Sequence, residues 1–86
     1  MDNAAIAHEL LRQARELAAQ GDNLYRVRAY RRAAAELFGL AMPVSTIVAE
    51  HGPSGLKNLP GVGASLAKTI AGLAIASPTV SASGVA

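Results

Sequence analysis

Two glycines separated by a single valine, Gly61 and Gly63, constrain the fold more than any other feature of this sequence. They follow Pro60 and precede residues 64–75, in which apolar residues recur at helical spacing. Glycine lets the backbone turn sharply and leaves its amides uncovered by side chains. Because these amides stand at the start of a helix, they point the same way as the positive end of its dipole. We therefore predict a tight turn between two helices, either with a bound phosphate or with no ligand.

The composition favours helices over strands. Alanine is abundant, whereas the aromatic residues are two tyrosines and one phenylalanine, and sheets are enriched in aromatic and β-branched residues. The 86 residues are enough for one domain. The chain has no cysteine, and His8 and His51 have no ligand partners nearby, so we predict neither a disulfide framework nor a zinc site. No segment has the pattern of a signal peptide or a membrane span, and we expect a cytoplasmic protein, nucleoid-associated in a bacterial cell.

The positive charge is concentrated after the first helix. Residues 1–21 hold two arginines against three carboxylates, a net charge of −1. Residues 22–86 hold six basic against three acidic side chains, a net charge of +3. A local cluster of this kind matters more for anion binding than the total charge does.

Helical spacing and capping residues predict an all-α fold, a compact bundle of four to five short helices. The first helix spans residues 3–19, with Asn3 as its N-cap and Gly21 just beyond its end. The later helices are residues 42–51, residues 55–58 capped by Ser54, and residues 64–75 ended by Ser77 and Pro78. We expect one domain over residues 1–76 and a disordered tail over residues 77–86.

The second predicted helix carries most of the arginines. It begins after Asp22 or Asn23 and ends near Gly39. Its inward stripe is Val27, Tyr30, Ala33, Ala34 and Leu37. Four arginines fall within seven residues, namely Arg26, Arg28, Arg31 and Arg32. The face is either a solvated surface or a phosphate-binding surface, since the arginine fork fits phosphate oxygens.

The sequence lacks the residues that three other kinds of site would need. A dinucleotide-binding loop needs a third glycine where Leu66 stands, and no Gly-Lys-Ser/Thr of a P-loop follows. The carboxylates are scattered singly, which gives no paired acid and base. We therefore predict no catalytic residue.

The segment LPGVG followed by SLAKTI resembles the helix-hairpin-helix motif of DNA-binding proteins that do not read sequence. The upstream segment YRVRAYRRAA, residues 25–34, resembles the one that precedes this motif in X-family DNA polymerases. The resemblance covers residues 6–73 and implies the small helical DNA-binding domain at the N-terminus of those enzymes. The polymerase domain itself is not in this sequence, so we expect either an excised domain or a stand-alone module that does not polymerise.

The resemblance also implies site residues. The hairpin amides would bind a DNA phosphate, Arg26 and Tyr30 would approach a 5′-phosphate, and other basic side chains would support them. The predicted DNA-binding residues are Arg26, Arg28, Tyr30, Arg31, Lys57, Gly61, Val62, Gly63, Ala64, Ser65 and Lys68. The backbone carbonyls of Lys57, Leu59 and Val62 would hold a monovalent cation, Na⁺ or K⁺, and no other cofactor is expected.

One departure bears on catalysis. Family members with 5′-deoxyribose-phosphate lyase activity carry their Schiff-base lysine six residues after the second hairpin glycine, where this chain has Thr69. Lys68 is adjacent, but one residue turns a helix by about 100°. We therefore expect a protein without enzymatic activity that binds gaps, nicks or 5′-phosphate ends in DNA repair. The alternatives are a lyase acting through Lys68 or Lys57, and a protein-interaction module that has lost DNA binding.

Overall fold

The computed structural model describes the backbone of residues 2–85 and the side chains of residues 2–75. This part of the chain is all-α, as predicted, with five helices and no strand. The helices are α1 (Asn3–Ala19), α2 (Leu24–Gly39), α3 (Val44–His51), the 3₁₀ helix η1 (Pro53–Asn58) and α4 (Ala64–Val85). The two helices that were predicted on either side of the two-glycine turn are η1 and α4.

The N-cap of α1 lies one residue before the predicted cap. The carboxylate of Asp2 accepts the Ala5 amide at 2.8 Å, so Asp2 is the N-cap and the prediction of Asn3 was wrong. Asn3 is the first helical residue, and its side chain is therefore free to reach another element. It donates to the Met42 carbonyl at 2.8 Å and accepts the Val44 amide at 2.8 Å. The side chain thus ties the start of α1 to the start of α3.

The turn between α1 and α2 follows the prediction. Gly21 has a φ of 74°, and its amide donates to the Ala18 carbonyl at 3.1 Å. The Asp22 amide donates to the Leu17 carbonyl at 2.9 Å, which completes a Schellman motif. Asn23 then caps α2 by accepting the Tyr25 amide at 2.7 Å.

Helices α1 and α2 run in opposite directions and form the main packed pair of the fold. The start of α1 lies against the end of α2, where the rings of His8 and Phe38 meet edge to face at 5.2 Å. All five residues of the predicted inward stripe of α2 are buried. One apolar core joins every helix, and none of the side chains described over residues 2–75 is both buried and polar.

The short middle helices differ in detail from the prediction. Helix α3 begins at Val44, after Pro43, and ends at His51, before Gly52, whose φ is 72°. Gly52 is also the residue before η1, and the predicted cap Ser54 makes no capping bond. The prediction failed because Pro53 occupies the first helical position, where its fixed φ suits a helix and its missing N–H costs nothing.

Helix α4 begins at Ala64 as predicted but continues to Val85, so the predicted stop at Ser77 and Pro78 was wrong. A proline inside a helix removes an amide donor and crowds the carbonyl four residues earlier, and the described residues offer no explanation for the continuation past Pro78. The side chains beyond Ile75 lie outside the described residues, and the division into a domain and a tail at residue 76 stays a prediction. No single helix described here has both the length and the apolar character to cross a membrane. Helices α2 and α3 pass that test only when joined across a bend of 96°.

Candidate functional site

The hairpin between η1 and α4 is anchored by apolar side chains on either side of its first glycine. Val62 is 5% exposed, Leu59 packs against the core, and the Val62 amide donates to the Leu59 carbonyl at 3.1 Å. Gly61, between them, has a φ of 79°, a conformation that other residues rarely adopt. The turn therefore has a fixed shape, and its exposed backbone faces away from the core.

Backbone donors are left open where the hairpin meets α4. The first hydrogen bond of the helix runs from the Ala67 amide to the Gly63 carbonyl at 2.9 Å. Within the described chain, the amides of Gly61, Gly63, Ala64 and Ser65 have no acceptor in hydrogen-bonding distance. They stand at the N-terminus of a helix of 22 residues, where the dipole adds positive potential.

Two clefts adjoin the hairpin on the side of α2. The first, which we call the hairpin cleft, has a volume of about 290 Å³. It is lined by Arg26, Ala29, Tyr30, Gly61, Gly63, Ser65 and Leu66. The second, which we call the arginine cleft, has a volume of about 300 Å³. It is lined by Tyr25, Arg28, Ala29, Arg32 and Gly61. The structure thus brings the two predicted motifs together, with Ala29 of α2 facing Gly61.

The basic residues predicted for the site fall into separate groups. Lys57 and Lys68 line a third cleft of about 230 Å³ with Ser54, and none of its lining residues belongs to the two clefts beside α2. Arg31 is exposed but lines neither of those two clefts. It follows Ala29 by two residues, which is about 200° around the helix, so it lies on the flank of α2 away from the hairpin.

Sequence reasoning missed Arg32 and Tyr25 as neighbours of the hairpin. A Cβ built on Gly61 would stand 2.8 Å from Cδ and 2.9 Å from Cγ of Arg32, so the stem of Arg32 lies against the glycine. The signal was present in the sequence, because Tyr25, Arg28, Ala29 and Arg32 share one helical face at spacings of three and four. Only the docking of the hairpin identifies that face as the relevant one.

The arginines of α2 differ in their ion pairing. Arg26 has a carboxylate partner, Asp22, at 3.4 Å. For Arg28, Arg31 and Arg32, the side chains described over residues 2–75 provide no carboxylate within 4.0 Å and no hydrogen-bond acceptor. Three of the four guanidinium groups therefore keep their full donor capacity for a ligand.

The structure also shows the surroundings of the residues that bear on lyase activity and on a bound cation. The Thr69 hydroxyl donates to the Ser65 carbonyl at 3.2 Å, and Lys68 is exposed. In a turn, the Lys57 carbonyl would accept from the amide three residues later, but that residue is Pro60, which has no N–H. Within the described chain, the carbonyls of Lys57 and Val62 accept no hydrogen bond across the hairpin. Over residues 2–75, no three side chains of His, Cys, Asp or Glu come together as metal ligands do.

A different cleft lies away from the hairpin, between the start of α1 and the end of α2. It has a volume of about 350 Å³ and a mainly apolar lining that includes Leu37, Phe38 and Pro43. Its distance from the open amides and the basic side chains gives it no part in the site described above.

Comparison with known proteins adds one finding. A family model described as "helix-hairpin-helix domain" matches residues 1–74. The matched range includes α1 and the arginine-bearing helix α2 as well as the hairpin. No curated protein and no solved structure gave a significant match.

Proposed function

This chain belongs to the helix-hairpin-helix domain family, and from that premise we propose that it binds DNA through its phosphates without reading the sequence. Family membership indicates nucleic-acid binding in general. The finer proposal is a preference for gaps, nicks and 5′-phosphate ends, as in the N-terminal domain of X-family DNA polymerases. A role in DNA repair and a cytoplasmic or nucleoid location belong to the same proposal.

One observation carries the proposal. The open amides of Gly61, Gly63 and Ser65 belong to the lining of the cleft into which Arg26 and Tyr30 of α2 also project. A phosphate placed there would accept from the backbone at a helix N-terminus and from an arginine. These contacts go to the DNA backbone, which positions a protein without specifying a base sequence.

The salt dependence follows from the number of phosphates contacted. If three to five phosphates are neutralised, log affinity falls with log salt at a slope of about −3 to −4. The affinity of so small an interface is on the order of micromolar or weaker. Lys57 and Lys68, on their separate cleft, extend the positive surface beyond the hairpin.

We propose no lyase activity for this chain. The position that would need a lysine is Thr69, whose hydroxyl is bonded to the Ser65 carbonyl and cannot form an imine. Lys68 lines the cleft with Lys57 instead and serves as a phosphate contact.

The carbonyls of Lys57, Leu59 and Val62 suit a monovalent cation. Each carbonyl oxygen has two lone pairs, and the Leu59 carbonyl uses one for the Val62 amide while the other two carbonyls are open on the hairpin side. Backbone carbonyls are the ligands that K⁺ takes in proteins. A bound Na⁺ or K⁺ would add positive charge beside the amides that receive the phosphate.

The test uses two matched glycine substitutions, Gly63→Ala and Gly72→Ala. A Cβ at either position meets nothing within 4 Å, so both variants should fold. Gly63 lines the hairpin cleft, however, so the new methyl adds bulk where the phosphate is proposed to bind. In a titration of gapped DNA with and without a 5′-phosphate, we expect Gly63→Ala to lower affinity at least about tenfold, the loss of a charge-assisted contact.

Gly72→Ala is the control for this experiment. Gly72→Ala lies more than two turns further along α4 and should bind like the unsubstituted protein. If the unsubstituted protein does not bind gapped DNA at low salt, DNA binding is wrong and a protein-interaction module is favoured. If Gly63→Ala binds as tightly as Gly72→Ala, the hairpin amides are not the site.

A further inference from the structure

The contact between Arg32 and Gly61 fixes an arginine beside the hairpin. The stem of Arg32 fills the space that a Cβ on Gly61 would need, and Nε lies 3.1 Å from that position. The φ of 79° requires glycine here, and any larger residue would also have to displace the stem of Arg32. With its stem against the turn, Arg32 lines the arginine cleft together with Gly61.

The arginine cleft places two guanidinium groups close together without a counter-ion. Arg28 and Arg32 are one turn apart on α2, and like charges at this spacing destabilise a helix. Glu36 stands one turn after Arg32, yet none of the ion pairs found over residues 2–75 joins them. The unfavourable pairing is relieved when an anion binds between the two groups.

The lining of the arginine cleft indicates which anion fits. Two planar guanidinium forks match the several oxygens of a phosphate better than they match a spherical halide ion. Tyr25, at the rim, is 81% exposed and offers both a hydroxyl group and a flat ring. With a volume of about 300 Å³, the cleft has room for a phosphodiester together with part of its sugar.

We propose that the arginine cleft is a second phosphate subsite, which takes the phosphodiester next to the one held in the hairpin cleft. The two clefts share Gly61 and Ala29, so a single nucleic-acid strand that crosses Gly61 reaches both. Arg28, Arg32 and Tyr25 hold the second phosphate, and Arg31 takes no part because it faces away. The subsite rests on the proposed DNA binding and extends it from one phosphate to two consecutive ones.

The test compares three glutamine substitutions on one helix. Arg28→Gln and Arg32→Gln remove a charge from the subsite, and Arg31→Gln removes the same charge from the other flank. Glutamine keeps part of the stem that packs on Gly61, and thermal unfolding of each variant checks the fold. We expect each subsite variant to bind gapped DNA three- to tenfold more weakly with a salt slope smaller by about 1, and Arg31→Gln to change affinity less than about twofold.

A modified DNA separates phosphate binding from a structural role. A neutral methylphosphonate is placed at each of the three phosphodiesters that follow the 5′-phosphate, one at a time. At one position it should weaken binding by the unsubstituted protein three- to tenfold and have little further effect on Arg32→Gln. Arg32→Lys should restore most of the salt slope, because the charge returns on a flexible stem.

The outcomes distinguish the two proposals. If the unsubstituted protein binds and Gly63→Ala does not, while Arg28→Gln and Arg32→Gln behave like Arg31→Gln, the second subsite is wrong and the hairpin site stands. If every methylphosphonate weakens Arg32→Gln as much as it weakens the unsubstituted protein, the subsite is also wrong. If no form of the protein binds DNA, the proposed function fails and the subsite fails with it.

Discussion

Helices α1 and α2 both carry arginine and glutamate at helical spacing, but they use these side chains in different ways. In α1, Arg12 donates to Glu9 at 2.9 Å and to Glu16 at 2.8 Å. In α2, Arg28 and Arg32 are within one turn of each other and face an open cleft without a carboxylate. The charge of Arg12 is thus neutralised within α1, whereas those of Arg28 and Arg32 are left for a partner.

The polar residues of α1 also support the fold directly. Asp2 caps α1, and Asn3 reaches across to the start of α3. On α2, Asn23 caps the N-terminus and Arg26 pairs with Asp22, and among the side chains of residues 2–75 Arg28, Arg31 and Arg32 make no such contact. The comparison teaches that residue type and spacing do not assign a role until the partners of each side chain are known.

The largest effect on stability should come from α1. Asn3→Ala removes two hydrogen bonds and leaves the partly buried Val44 amide without an acceptor, which costs about 1–3 kcal/mol. The midpoint of thermal unfolding should fall by roughly 5–20 °C. DNA affinity, measured well below that midpoint, should not change, since Asn3 is far from the hairpin.

Asn3→Asp is the matched variant, because it keeps the acceptor for Val44 and loses only the donor to Met42. Its unfolding midpoint should lie between those of Asn3→Ala and the unsubstituted protein. If Asn3→Ala melts at the original temperature, α1 is not tied to α3 by these bonds and the contrast with α2 is weakened.

A smaller effect should come from releasing Arg26. Asp22→Asn removes the carboxylate 3.4 Å from Arg26 but keeps an oxygen to accept the Asn23 amide. Because Arg26 lines the hairpin cleft, affinity for gapped DNA should rise about three- to fivefold, as expected for one weak ion pair.

Glu16→Gln provides the comparison on α1, since it removes the same charge beside Arg12. It should raise affinity by less than about twofold, because Arg12 keeps its bond to Glu9. Equal increases for Asp22→Asn and Glu16→Gln, measured by titration at one salt concentration, would mean that net charge alone sets the affinity.

The smallest effect should be a pH dependence of stability that belongs to α1. The hydrogen bond from Arg12, then the one from Gln13, lowers the pKa of Glu9 from 4.5 to about 2. A carboxylate with a lowered pKa stabilises the folded state fully above pH 4.5 and loses that contribution as the pH falls to about 2. Since Arg12 is half exposed, the change in unfolding midpoint should be less than about 3 °C.

Glu9→Gln isolates this contribution from that of the other carboxylates. The difference in unfolding midpoint between the variant and the unsubstituted protein should shrink between pH 7 and pH 2. A difference that stays constant over this range would show that the bond to Arg12 does not stabilise the fold.

The sequence alone predicted the features of the fold that depend on a single segment of the chain. Gly21 and Gly52 end helices because their positive φ follows from local sterics, and the stripe from Val27 to Leu37 is buried because its spacing is helical. The all-α class and the start of α4 at Ala64 follow from the same kind of pattern. These features need no knowledge of the rest of the chain.

The sequence was insufficient where two distant segments decide a contact. Asn3 was predicted to cap its own helix, but its partners are about forty residues away, at Met42 and Val44. Arg32 was counted only as part of a charged face, because nothing in α2 alone shows that Gly61 docks beside Ala29. The extension of α4 past Pro78 was missed because a proline inside a helix removes a donor and crowds the preceding turn, and is therefore typical of a helix end.

Several positions in the core of the domain are alanines that cannot be replaced by larger residues without a shift of the helices. The fully buried ones are Ala7, Ala14, Ala33 and Ala34, each with 0% of its surface exposed. Side chains this small let neighbouring helices approach closely, and a packed interior does not absorb an added methyl group without moving a backbone. A valine at Ala33 would displace α2 as a whole and carry Arg28 and Arg32 away from Gly61. Relatives that share every hairpin residue can therefore differ in how tightly they hold their ligand, through interior positions that never touch it.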